Sequence, residues 1–74
     1  LVEKPDIKFI SRDKHGKHYA FYHRFPMTVG KMKKHIQTFL GQQQVVKWQH
    51  SKKHSKLVAW VGNSYRWFTI MGKK

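Results

Sequence analysis

From Ile7 the chain alternates. Ile7, Phe9 and Ser11 fall on one side, Lys8, Ile10 and Arg12 on the other, which is the period of a strand. Asp13-Lys14-His15-Gly16 interrupts the alternation. An Asp opening with Gly in fourth place predicts a type I turn with Gly16 in the left-handed region. The return run, Lys17 to Phe25, carries Tyr19, Phe21 and Phe25 on one face. A three-residue loop sets Phe9 opposite Phe21 and Ser11 opposite Tyr19. That register gathers one apolar face, which is how register is ordinarily fixed. The other face shows Lys8, Arg12, His18, Tyr22 and Arg24.

At Thr28 the period changes. Val29, Met32, Ile36, Phe39 and Leu40 recur at helical spacing. Thr28 is a suitable N-cap, Met27 and Met32 form a hydrophobic staple, and Gly41 stands where a terminating glycine belongs. These signals predict a helix from Val29 to Leu40. Its outer side holds Lys31, Lys33, Lys34, Gln37 and Thr38, with His35 near the edge.

Strand patterns then return. Val45, Val46 and Trp48 lie in one strand, Ser51 to Lys56 is a basic loop, and Leu57–Val61 pairs with Tyr65–Met71 around Gly62-Asn63-Ser64. The reading is one α+β domain over 1–74, in the order β-β-α-β-β-β. A lead-in covers 1–6, a hairpin 7–25, the capped helix 28–40 and strands 44–71. One amphipathic helix packs on a mostly antiparallel sheet. A β-grasp arrangement and a more open sheet-plus-helix module both fit this order. The strand–turn–strand–helix opening resembles the arm-binding domains of phage-type integrases, and the whole order resembles ubiquitin-like folds. Neither resemblance rests on a defining motif, so neither implies a function.

Composition narrows the function. The chain has 74 residues, 16 Lys+Arg against 3 Asp+Glu, and a formal net charge of +13. The acids are Glu3, Asp6 and Asp13, and no carboxylate side chain follows Asp13. Solubility alone is usually served by mixed charges. A one-signed surface repels itself and attracts polyanions. An aromatic content of 15% is high for a disordered basic tail. No apolar run approaches the ~20 residues of a membrane span, and no signal-peptide core stands at the start. The chain begins with Leu1 rather than Met, as a processed product or an excerpt of a longer chain would.

Catalytic signals are weak. Beyond residue 13 there are no paired carboxylates, no nucleophile motif is present, and the absence of Cys removes thiolate chemistry. His50-x-x-x-His54 and His15-x-x-His18 have the spacing of zinc half-sites. A structural zinc needs four ligands, usually with Cys among them, and neighbouring lysines oppose a dication. No metal, cofactor or catalytic residue is expected.

Three features point to a polyanion instead. Lys31, Lys33 and Lys34 crowd the first half of the helix, where cations oppose the helix dipole unless an anion approaches. Lys52, Lys53 and Lys56 surround the later loop, and Lys14, His15, Lys17 and His18 the first turn. Either run alone is ordinarily a solvated loop; on a shared face they would track phosphates. In the last hairpin a two-residue loop at Asn63-Ser64 pairs Trp60 with Trp67 and Gly62 with Tyr65. One face then holds Val58, Trp60, Tyr65, Trp67 and Thr69, suited to stacking on bases. The other holds Leu57, Ala59, Val61, Phe68 and Ile70, with Arg66 at its edge. Aromatic cross-strand pairs also stabilise sheets with no ligand at all. Trp48, beside Lys47, is a third candidate. Thirteen lysines against three arginines favour backbone contacts over base readout.

The expectation is a small nucleic-acid-binding protein, for DNA or RNA, that is not an enzyme. Its candidate contacts are Lys31, Lys33, Lys34, Lys52, Lys53, Lys56, Trp60, Tyr65, Arg66 and Trp67, and its location would then be intracellular. The alternative is a small basic inhibitor or adaptor, viral types included, that docks on an acidic protein surface. An anionic membrane is the weakest partner, because the helix needs its apolar side for the core.

Overall fold

The computed structural model describes residues 5–14, 16–24 and 26–72; the lead-in to Lys4, the turn residue His15 and Phe25 lie outside them. The elements are β1 (Asp6–Arg12), β2 (Gly16–His23), α1 (Val29–Leu40), β3 (Lys47–Ser51), β4 (Lys56–Val61) and β5 (Ser64–Gly72). The β-β-α-β-β-β order and the α+β class are as expected. The strands form one five-stranded sheet in the order β1-β2-β5-β4-β3. The β1/β2, β3/β4 and β4/β5 pairs are antiparallel, and the central β2/β5 pair is parallel. β2 and β3 therefore run the same way, and α1 is the crossover between them. The crossover carries β3 to the far edge. The β3-β4-β5 meander then steps back until β5 meets β2. A ubiquitin-like sheet sets its first strand beside its last; here the second strand takes that place, so the open module is the arrangement formed.

The helix has the bounds that its local signals predict. Thr28 is extended (φ −72°, ψ 156°), and its Oγ1 accepts a 3.2 Å hydrogen bond from the Lys31 amide. Gly41 takes φ 68°, and its amide donates to the Gln37 and Thr38 carbonyls. Met32, Ile36 and Leu40, one helical stripe, are buried against one sheet face. That face supplies Tyr19 and Phe21 from β2, Leu57 and Ala59 from β4, and Phe68 from β5. Tyr19 and Phe68 stack at 5.1 Å, and Phe39 meets both rings edge-on. Trp48 packs on this same core side, with the Lys33 ammonium 5.8 Å from its ring. It is therefore not on the aromatic face of the last hairpin.

The last hairpin differs from the expected register by two residues, and the first by two at Phe9 and by one beyond it. Phe9 faces Tyr19 rather than Phe21, and a bulge follows, so that Ser11 faces His18. Trp60 faces Tyr65 and Val58 faces Trp67. The last turn is Gly62-Asn63, with Gly62 at φ 65°, the sign that a type II′ turn needs at its first central position. A shift of two keeps side chains on their predicted faces, whereas the bulge puts Ser11 on the side of His18 and Arg12 on that of Lys17, each opposite to its expected face. Gly16 has a different purpose from the expected one. It opens β2, where a Cβ would overlap the Tyr65 carbonyl oxygen on β5. Its missing side chain lets the two parallel strands approach. Residues 42–46 are irregular, so β3 starts at Lys47, and Val46 is exposed.

Candidate nucleic-acid interface

The helix covers one side of the sheet, and among the described residues no element covers the other. Alternation decides what that second side carries. Tyr19, Phe21, Leu57, Ala59 and Phe68 point to the helix, so their neighbours His18, Ala20, Val58, Trp60, Trp67 and Thr69 point away. Pairing brings these together. His18 faces Trp67 and Ala20 faces Thr69 across β2/β5; Lys56 faces Thr69 and Trp60 faces Tyr65 across β4/β5; Lys47 faces Trp60 across β3/β4.

A continuous aromatic row results. The Trp60 and Tyr65 centroids are 5.1 Å apart, Tyr65 and Trp67 6.4 Å, and Trp67 and His18 4.1 Å in a near-parallel stack. Trp67 is clamped. His18 reaches it from β2, and the Lys56 ammonium lies 4.3 Å from its ring centre from β4. The Trp67 Nε1 donor is buried without a hydrogen-bond partner. Trp60 Nε1 donates to Gln49 Oε1 at 2.9 Å. Tyr65 donates its hydroxyl to Asp13 Oδ2 at 3.2 Å. His18 Nε2 and Thr69 Oγ1 share a 2.6 Å hydrogen bond.

Electrostatics follows from these contacts. Burial of the ring, and after it the Lys56 charge, hold His18 below its ordinary value, while Asp13 pulls the other way. Desolvation, then the hydrogen bond and charge of Asp13, push the Tyr65 phenol up. Both described carboxylates are engaged: Asp6 lies 3.5 Å from the Lys8 ammonium, and Asp13 also accepts the Gly16 amide. Protein families, curated proteins and solved structures give no match to this chain. The chemistry of the face is therefore read from its own residues.

The sequence-predicted contacts divide into groups. Lys56, Trp60, Tyr65 and Trp67 share the uncovered face. Lys52 and Lys53 are exposed in the adjoining β3–β4 turn. Arg66 points to the helix side, where its guanidinium meets Gln43 Oε1 at 3.3 Å. Lys31, Lys33 and Lys34 lie on α1, across the sheet from the aromatic row. The three basic segments thus do not merge into one surface. Gln49 carries no signal in the sequence and reaches Trp60 from β3. His18 is marked there only as one of the cations around the first turn; its stack on Trp67 comes from the parallel β2/β5 pairing, which no local signal announces. Among the described residues no three His, Asp or Glu side chains gather closely enough to hold a metal ion.

Proposed function

We propose that this is a nucleic-acid-binding protein, not an enzyme, that lays a strand across the uncovered sheet face. The observation that carries the reading is the aromatic row from Trp60 through Tyr65 and Trp67 to His18, flanked by Lys47 and Lys56. Aromatic rings offer every base a stacking surface, and cations beside them hold the backbone. Trp60 and Tyr65 are the first platform. Trp67 becomes available when Lys56 moves. Its cation–π contact is worth only about 0.5–1 kcal/mol near a surface, so a phosphate competes well for the ammonium and leaves the ring to a base. Lys52 and Lys53 extend the path beyond the edge of the face.

Fluorescence anisotropy of a labelled oligo-dT, titrated at several salt concentrations, tests the reading. About four lysine contacts to a single strand predict a log–log salt slope near −3. Tryptophan emission should be quenched as bases stack, and Trp60→Ala should weaken binding by ~1–3 kcal/mol. A salt-insensitive interaction, or a Trp60→Ala protein that binds unchanged, would remove this mode. A pull-down from lysate with and without nuclease separates the alternative. A partner protein retained in stoichiometric amount after nuclease treatment would favour an inhibitor or adaptor docking on an acidic surface.

A further inference from the structure

The side of the molecule opposite the aromatic row is also built for an anion. Along the outward stripe of α1, Lys31, Lys34, His35 and Thr38 form one wall of an open groove of about 440 Å³, and Pro26 and Met27 complete it. Lys31 and Lys34 are exposed, and no ion pair among the described residues involves them. Thr38 turns its hydroxyl to the Lys34 carbonyl, so Lys31 and Lys34 are the charged groups of the groove, beside the apolar Pro26 and Met27. Of the chain's acids, Asp6 and Asp13 belong to the first hairpin and are already engaged, and none follows in sequence.

The helix, the apolar core and the sheet itself lie between this groove and the aromatic row. Even the shortest dimension of the molecule is 20 Å. Counter-ions screen charges over about 8 Å at physiological salt, so the two sides attract phosphates independently. A strand held on the sheet leaves the helix groove free for another.

We propose that the protein bridges two nucleic-acid segments, one on the sheet face and one along the α1 groove, and so brings separate strands together. The proposal rests on the reading of the sheet face given above and adds a second surface that relies on lysine charge, with His35 as its one ring. The observation that sets it apart is charge on both sides of a single sheet. One continuous basic face would hold one strand more tightly; two opposed faces hold two.

The test uses two pools of oligo-dT of about 12 nucleotides, within the footprint of a single small domain, one carrying a donor dye and the other an acceptor. Oligo-dT does not pair with itself, so energy transfer requires protein between strands. Transfer should rise as protein is added, peak near one protein for two oligonucleotides, and fall when excess protein gives each strand its own copy. Lys31→Ala/Lys34→Ala/His35→Ala should keep single-strand affinity within about threefold and lose most of the transfer, because only the phosphate term of the second surface is removed. Circular dichroism melts establish that the variant is folded; if the half-buried His35 position unsettles it, Lys31→Ala/Lys34→Ala takes its place. Single-strand binding without transfer in the wild type would overturn bridging and leave the sheet-face reading standing. Undiminished transfer in a folded helix variant would also overturn it, by locating the second contact elsewhere or in self-association. Absence of any oligonucleotide binding would remove both readings together.

Discussion

Removing Trp67 distinguishes a free stacking platform from a structural ring. Were the ring free, Trp67→Ala would barely affect the fold. The structure gives a different magnitude. The His18 stack at 4.1 Å belongs to the class of aromatic pairs worth ~0.5–1.5 kcal/mol beyond area. The Lys56 contact adds ~0.5–1 kcal/mol. A fully buried Trp truncated to Ala costs ~3–5 kcal/mol; this one is half-buried and its Nε1 makes no hydrogen bond. The expected loss is therefore about 2–3 kcal/mol, the sum of the two ring contacts plus part of the transfer term. A domain of this length has roughly 4–11 kcal/mol in hand at ~0.05–0.15 kcal/mol per residue, so the variant stays folded. Its melting temperature should fall by roughly 10–20 °C, at ~4–8 °C per kcal/mol. Urea denaturation followed by far-UV circular dichroism measures the loss without relying on the missing fluorophore. Lys56→Met, which keeps the apolar stem, should reproduce only the ~0.5–1 kcal/mol cation–π part. A loss under about 0.5 kcal/mol for Trp67→Ala would mean that the clamp does not persist in solution; outright unfolding would make the ring core.

Three further outcomes are expected. Gly16→Ala should weaken the β2/β5 pairing severely, since the new Cβ meets the Tyr65 backbone and no flexible side chain can yield; hydrogen exchange of the β2 and β5 amides should accelerate together, and normal protection would refute the close approach. His18 is held below its ordinary value, so the unfolded chain takes up its proton first as pH falls. Stability is then present above about pH 6.5 and declines as pH falls through the lower folded value, a decline that His18→Gln should reduce in melts between pH 7.5 and 5. Ser55 sits at φ 50° in the β3–β4 turn; Ser55→Gly should raise stability by about 0.5–1 kcal/mol, since relief of the left-handed strain outweighs the added chain freedom, and a lower melting temperature would contradict this.

What could be read from the sequence was what is local. Thr28, the Met32-Ile36-Leu40 stripe and Gly41 each act within a turn or two of chain, and they set the helix bounds. Side-chain alternation is equally local, so it predicts the two faces of β4 and β5 but not their register. Register depends on the turns. Gly62 rather than Asn63 leads the last hairpin, and the bulge between Phe9 and Ser11 has no signature in a run of ordinary strand formers. Strand adjacency was beyond reach. Nothing near His18 announces β5, residues 64–72, as its neighbour; that pairing is parallel, distant in sequence, and fixed by how the whole apolar face closes on α1. The clamp on Trp67 joins three strands and inherits that difficulty. The separation of the helix lysines from the aromatic row, by contrast, is already implied by a helix on a sheet, since the outer side of such a helix and the uncovered side of the sheet cannot be one surface.

Ala20 is fully inaccessible although it points away from the helix. Its strand neighbours His18 and Tyr22 and its cross-strand partners Lys8 and Thr69 surround it on that face. The sheet thus has a second layer made of side chains rather than of backbone. Such a layer moves on the timescale of rotamer changes, picoseconds to nanoseconds, whereas lids made of loops take microseconds or longer. A strand arriving at this face would therefore meet no slow gate. Mixing experiments should show a single concentration-dependent phase, with an encounter rate set by charge and falling steeply with salt.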